Sequence, residues 1–329
     1  MTLERFGWTA LRQQEFAVYA ADGLLPGRVV GEHRSHFRVA TAAGELTAEA
    51  PQRMRKSAGE RSDLPGVGDF VALRPALGDG PAAIEAVLPR TTALIRKASG
   101  EKRPQLLAAN IDYVFIVTAP DGDFNLPRLE RYLALVRESG ADPVVVLNKS
   151  DLAQDLPRMI AEISALAPGI AVHTISARDL ASLGEIERYF DGNRTIVLIG
   201  SSGVGKSTMT NQLLGRVVQA TQEVRAHDSR GRHTTTDRQL FQRPSGGSLI
   251  DMPGLRGLEL WNAAAEAVDA FEDIATLASQ CRFANCRHVS EPGCAVRAAL
   301  DKGEIDADRF ARYMKDAPSP EKKGRSGRR

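Results

Sequence analysis

The nine residues from Gly200 to Thr208, GSSGVGKST, constrain this chain more than any other stretch, because they satisfy G-x-x-x-x-G-K-[ST] between an apolar run, TIVLIG, and a helical one, STMTNQLLG. A strand that ends in such a loop and opens a helix belongs to an open, largely parallel sheet with helices on its faces. Gly203 and Gly205 can take backbone angles barred to other residues, so successive N–H groups turn inward, and the helix start adds its positive dipole end. The expected ligand is a nucleotide polyphosphate held by Gly200, Ser201, Ser202, Gly203, Val204, Gly205 and Thr208. Lys206 would reach the β and γ phosphates as part of the catalytic machinery, and Ser207 would ligate Mg2+.

The chain upstream agrees with that sheet. From about residue 111, apolar strands (IDYVFIVTA, DPVVVLNKSD, AVHTISA, RTIVLIG) alternate with helical stretches (LPRLERYLALVRESG, LPRMIAEISALAP, SLGEIERYF), the pattern of strands buried on both faces. Residues 26 to 89 carry five short β-type runs instead, PGRVVG, HFRVAT, GELTAEA, GDFVAL and AAIEAVL, which suggest a small barrel. Beyond the phosphate loop, RQLFQRPSGGSLIDMPG reads as a hairpin turning at Ser245 to Gly247, followed by an Ala-rich helical segment from Asn262.

The base is specified by Asn148, Lys149 and Asp151, an N-K-x-D at the end of the strand VVVL. A carboxylate there accepts from guanine N1–H and the exocyclic amine, whereas adenine would leave it without partners at about 1 to 3 kcal/mol per stranded group. Asn148 and Lys149 would brace the loop. Ser176, Ala177 and Arg178 end the next strand, where a small residue lets a backbone N–H approach guanine O6.

Asp251 to Gly254 fits D-x-P-G, in which Asp251 holds Mg2+ through water and the Gly254 N–H senses the γ phosphate. Between it and the phosphate loop lies RAHDSRGRHTTTD, residues 225 to 237. One of Thr234, Thr235 and Thr236 should complete the Mg2+ shell, Thr234 and Thr235 being preferred. Leu255 stands where many signalling GTPases carry a water-orienting glutamine, and an apolar side chain cannot align water. His233, directly before the threonines, is the nearest polar substitute, expected to position water when a partner orders the loop.

All three cysteines fall near the C-terminus, and Cys281-x4-Cys286-x-His288-x5-Cys294 supplies the ligands of one closed, structural Zn2+ site. Arg282, Arg287 and Arg297 interleave with them. On the barrel, Arg28, Arg34, Arg38, Arg53, Arg55 and Lys56 offer a groove for a nucleic-acid backbone, with Phe37 available for stacking. The net charge of +2 does not by itself argue for a polyanionic partner. No apolar run is long enough for a signal peptide or a membrane span, so a cytosolic chain is expected.

The motifs run N-K-x-D, S-A-R, phosphate loop, threonine loop, D-x-P-G, whereas an ordinary GTPase meets the phosphate loop first. In that order, in the GRHTTT string at Gly231 to Thr236 and in the Cys/His cluster, the chain resembles the circularly permuted RsgA (YjeQ) family of small ribosomal subunit biogenesis GTPases over nearly its whole length. The resemblance implies an OB-fold barrel that contacts ribosomal RNA, hydrolysis stimulated by the small ribosomal subunit, and a role in hydrolysis for the histidine before the threonines. The expected fold class is therefore α/β: a permuted P-loop GTPase domain with an N-terminal OB-fold barrel and a C-terminal, mainly helical zinc domain. The divisions expected are an N-terminal extension 1–21, barrel 22–89, GTPase domain 90–258, zinc domain 259–314 and a disordered basic tail 315–329. The chain is expected to bind GTP and GDP, Mg2+ and one Zn2+, and to act as a monomer on the small subunit. The competing reading is an RNA-binding scaffold that senses GTP and GDP with negligible hydrolysis.

Overall fold

The first twenty residues pack onto the barrel that follows them. Helix α1 (Ala10–Ala20) opens at Thr9, whose hydroxyl accepts from the Arg12 N–H. Leu3, Trp8 and Phe16 are buried with Leu24, Phe70, Ala72 and Leu88, and Trp8 meets Phe16 and Phe70 edge-on with ring centroids 5.8 and 5.6 Å apart. The structure is a computed structural model that describes residues 2–33, 36–76, 78, 80–96, 104–120, 123–201, 203–218, 238–252, 274, 277, 278, 280–283, 286–289, 291–303, 305 and 310.

All five β-type runs of the N-terminal region are strands: β1 (Leu25–His33), β2 (His36–Thr41), β3 (Gly44–Glu49), and, after the short helix α2 (Gln52–Ser57), β4 (Phe70–Arg74) and β5 (Ala82–Val87). Their order is 1-2-3-5-4, with β4 returning to pair with β1, so the sheet closes into the five-stranded Greek-key barrel of the OB type. Strand alternation sorts the side chains. Val71 and Leu73 point inward with Val29, Phe37, Val39, Ala48 and Ile84, while Phe70 and Ala72 face α1.

A hairpin not read from the sequence follows, β6 (Ala93–Arg96) with β7 (Gln105–Ala109). The barrel loop before β4 docks on it: the Ala109 N–H donates to Val67 O at 3.0 Å. Gly68 has φ +96°, and a Cβ there would lie 2.1 Å from Ala109 O, so only glycine fits.

Next come β8 (Tyr113–Thr118), α3 (Leu126–Ser139), β9 (Asp142–Leu147), α4 (Leu156–Leu166), β10 (Ala171–Thr174), the single turn α5 (Gly184–Glu187), β11 (Thr195–Ile199), α6 (Lys206–Leu214), β12 (Gln239–Gln242) and β13 (Ser248–Asp251). Helices α3 and α4 start where Asn125 and Asp155 accept from the N–H groups of Arg128 and Arg158, each with a proline in the first turn. The strand order is β10-β9-β8-β11-β13-β12, all parallel except the edge strand β12. Strands β8, β9 and β10 step outward on one side and β11, β13 and β12 lie on the other, so the order reverses between β8 and β11, the place where such sheets bind ligands. Strand β1 of the barrel pairs with the free edge of β12 through Gly31 and Gln239.

Arg28 and Phe37 are not surface groups, in contrast to the sequence reading. Arg28 is 1% exposed and donates to Phe6 O, Gly68 O, Asn110 O and Thr195 Oγ1, with its guanidinium 4.7 Å from the centre of the Phe70 ring. Phe37 is a barrel-core residue. Arg38, Arg53, Arg55 and Lys56 are exposed, with Arg38 facing Glu45 and Arg53 facing Glu85; Arg34 lies outside the described residues.

The chain divides into two compact units, Met1–Gly257 and Leu258–Arg329. In the second, the described residues include α7 (Ala295–Asp301), whose Val296 and Ala299 pack with Ile274, Cys294 and Ile305. The Ala-rich segment from Asn262 and the basic tail lie outside the described residues. Among the described residues no helix is long and apolar enough to cross a membrane.

Candidate active site

The phosphate loop leaves β11, whose five residues are all buried. Gly200 has φ +142°, and a Cβ on it would come within 2.2 Å of Val117 O on the neighbouring β8. Gly203 and Gly205 have φ of +86° and +97°, and a Cβ on Gly205 would lie 2.2 Å from Asn148 Nδ2. Helix α6 begins at Lys206, so Ser207 and Thr208 occupy its first turn, half-buried. Lys206 Nζ donates to Gly200 O at 2.6 Å and to Ser201 O. The Oγ of Ser201 is buried, and the Asp123 carboxylate is its neighbour across the mouth of the loop. Ser202 lies outside the described residues.

Asn148 joins three separate segments. Its side chain is buried; Nδ2 donates to Val204 O in the phosphate loop at 2.6 Å, and Oδ1 accepts from the Ala177 N–H at 2.9 Å. A base carbonyl brought to Ala177 therefore shares that N–H with Asn148. Lys149 takes the left-handed conformation, φ +57°, which turns the chain into a short helical turn, Ser150–Leu152, with Asp151 exposed on it. The turn is tied to the next strand's end by Ser150 N–H donating to Ile175 O at 3.0 Å. Ser176 is fixed through Ser182, whose hydroxyl accepts from its N–H and donates to its carbonyl; Arg178 beside it is exposed. Asp251 ends β13, next to β11 in the sheet. His233, Thr234, Thr235, Thr236 and Gly254 lie outside the described residues.

One acidic residue beside this site was not singled out in the sequence. Asp123 follows β8, and its carboxylate accepts from Arg128 Nη2 at 2.7 Å and from Thr118 Oγ1 at 3.4 Å. Burial raises its carboxyl above the ordinary range, against the Ser201 hydroxyl and the cations of Arg128 and Lys206. The available signal was position: an acid just past the strand that borders the phosphate-loop strand.

In the second unit, Cys281, Cys286, His288 and Cys294 bring their ligand atoms within 4.8 Å of one another. Cys281 and Cys294 sulfurs are 3.8 Å apart, and His288 Nδ1 is 3.6 and 3.4 Å from them. A tetrahedral Zn2+ with bonds of about 2.0 to 2.3 Å needs ligand separations of about 3.5 to 3.8 Å, which Cys281, His288 and Cys294 match, with Cys286 within 4.8 Å of each. Burial and the neighbouring Cys294 and Cys281 push the Cys286 thiol up to about 11. Burial lowers His288, favouring the neutral imidazole that ligates metals. Cys294 also caps α7, its sulfur accepting from the Arg297 N–H at 3.4 Å.

A family model described as RsgA GTPase matches residues 87–261. The small ribosomal subunit biogenesis GTPase RsgA of Opitutus terrae is 46% identical over 325 residues, covering 96% of this chain and 89% of that protein. RsgA 2 of Lactiplantibacillus plantarum is 40% identical over 96% of this chain and 88% of its own length. Among solved structures, YjeQ from Thermotoga maritima aligns with a TM-score of 0.53 at 25% identity, covering 89% of this chain and 96% of that one. YloQ, described as a circularly permuted GTPase, aligns with a TM-score of 0.50 at 26% identity over 89% of this chain and 93% of its own. With the order of its strands and motifs, these matches mean that the chain belongs to the RsgA GTPase family.

Proposed function

We infer that this chain hydrolyses GTP to GDP and phosphate and acts in biogenesis of the small ribosomal subunit, the role for which its relatives are named. The observation that carries the reading is Asn148, whose one side chain links the N-K-x-D loop, the S-A-R segment and the phosphate loop, so that base recognition and phosphate recognition share a single hydrogen-bonded unit. Asp151 recognises the guanine edge, the glycine loop N–H groups and Lys206 hold the phosphates, and His233 positions the attacking water. Ser207 and Thr235 would hold Mg2+ with Asp251 behind it; that ion supplies countercharge to the phosphates. The Cys281, Cys286, His288 and Cys294 set would hold a structural Zn2+.

Ribosomal RNA is the partner of the barrel and the zinc unit in this reading, and the exposed Arg55 and Lys56 support the former. The chain acts in the cytoplasm as a monomer, which light scattering at working concentration checks. The test of the whole reading is phosphate release from GTP by the purified protein alone, with small subunits and with large subunits. Turnover accelerated by small subunits supports it; GTP binding without turnover under any of these conditions would favour the nucleotide-sensing scaffold.

A further inference from the structure

A cavity of about 350 Å3 lies between the barrel and the β6–β7 hairpin, and none of its lining residues belongs to the nucleotide site. Its floor is apolar: Phe37, Pro65 and Leu106 line it and are all buried. Three guanidinium side chains stand around it, Arg55 from α2, Arg61 from the short helical turn Arg61–Asp63, and Arg238 at the entry to β12. Glu32 and Glu60 add carboxylate acceptors. An apolar floor with cations at its margin and a few acceptors suits one flat base with its flanking phosphates, and the volume falls in the range of about 300 to 1,000 Å3 usual for ligand pockets.

The chain around Arg238 gives this cavity a mechanical role. Arg238 Nη1 donates to Leu106 O at 2.7 Å, across 132 positions of sequence. The next residue, Gln239, pairs with Gly31 of β1. Two consecutive residues, starting two positions after Thr236, are thus fastened to the cavity wall and to the barrel. Whatever fills the cavity bears on the anchor of the segment that carries His233 and the threonines.

We propose that this cavity accepts a single unpaired nucleotide of RNA, and that its occupancy, through Arg238, couples RNA binding to GTP hydrolysis. The proposal rests on the assignment of the chain as a GTPase that works on the small ribosomal subunit. A short peptide with acidic side chains would meet the same arginines but would leave the apolar floor of Phe37, Pro65 and Leu106 uncovered, so the nucleotide is favoured.

The experiment uses the full-length protein carrying Arg61→Ala and Gln105→Ala, both at the cavity and neither in the nucleotide site. Turnover is measured alone and with purified small subunits. In parallel, a single variant with benzoylphenylalanine in place of Gln105 is irradiated on those subunits. The double variant should keep its unassisted turnover and its GTP affinity while losing about tenfold of the stimulation, the order expected for the loss of a charged hydrogen bond to the nucleotide. The photoprobe should attach to one nucleotide of ribosomal RNA. Undiminished stimulation of the double variant, while the wild type is stimulated, overturns the cavity's role and leaves the GTPase assignment standing. A wild type that small subunits do not stimulate overturns both. Attachment to a ribosomal protein overturns the nucleotide occupant, and acceleration by free nucleoside monophosphates without subunits overturns its assignment to RNA.

Discussion

Arg28 Nη1, on barrel strand β1, donates to Thr195 Oγ1 at 2.9 Å, at the first residue of the strand that ends in the phosphate loop. The same guanidinium serves Phe6 O, Gly68 O and Asn110 O. Burial lowers its pKa to about 10, so it stays charged at neutral pH. Replacing it removes a donor from four buried acceptors at once, of which Gly68 O keeps Asn110 Nδ2. Arg28→Met is expected to destabilise the first unit by about 3 to 5 kcal/mol, read as a lowered urea midpoint. A shift below 1 kcal/mol would mean that water replaces the guanidinium without loss.

Asn148→Ala removes the links to Val204 and Ala177 together. GTP and GDP should bind roughly 30-fold more weakly, about 2 kcal/mol, in a fluorescent-nucleotide titration. Gly205→Ala should be at least as severe, since the added methyl falls 2.2 Å from Asn148 Nδ2 and the backbone is left-handed there.

On the proposed function, the exposed carboxylate of Asp151 carries the discrimination between bases. Asp151→Asn replaces one acceptor by an amide that can donate to a carbonyl. The variant should lose affinity for GTP and gain it for xanthosine triphosphate, each by about tenfold or more in competition titrations. An unchanged preference for guanine would remove Asp151 from the base site.

His233→Ala should leave unassisted turnover close to that of the wild type. Stimulated turnover on small subunits should fall by about 100-fold, within the range usual for a lost general base. Stopped-flow phosphate release separates that step from nucleotide exchange.

Elemental analysis should give one zinc per chain. Its removal by a strong chelator should unfold the second unit, because ion binding worth about 10 to 16 kcal/mol supplies most of such a module's stability. Cys294→Ser should be the most damaging of the cysteine variants, since that sulfur also caps α7.

The forms of the phosphate loop and of the N-K-x-D segment were readable because each is a short run with fixed backbone demands. Gly200, Gly203 and Gly205 adopt the positive φ that the loop requires, and Asn148 stands at a strand end where its side chain can cross to the next segment. The five barrel strands were readable for a similar local reason. Arg28 was misread because its neighbours on β1, Val29 to Gly31, are buried through the whole stretch. A charged residue in such a strand reveals its partners only once Phe6, Asn110 and Thr195 are brought together from distant sequence. For Phe37 the signal was present and overlooked. The alternation of HFRVAT puts it on the same face as Val39, and that face is the barrel interior. Helix α1 and the β6–β7 hairpin have weak local patterns, and their form comes from docking on Phe70 and on Gly68.

Lys206 rests on the carbonyls of Gly200 and Ser201, within its own loop. Polyphosphate capture is then an exchange: an incoming oxygen must outbid two oxygens already in hand. A monoanion or a lone inorganic phosphate gains little from that trade, whereas a chain of phosphates engages the ammonium and the glycine amides in one stroke. On the proposed function, the loop thus favours di- and triphosphates over single small anions before any base is recognised.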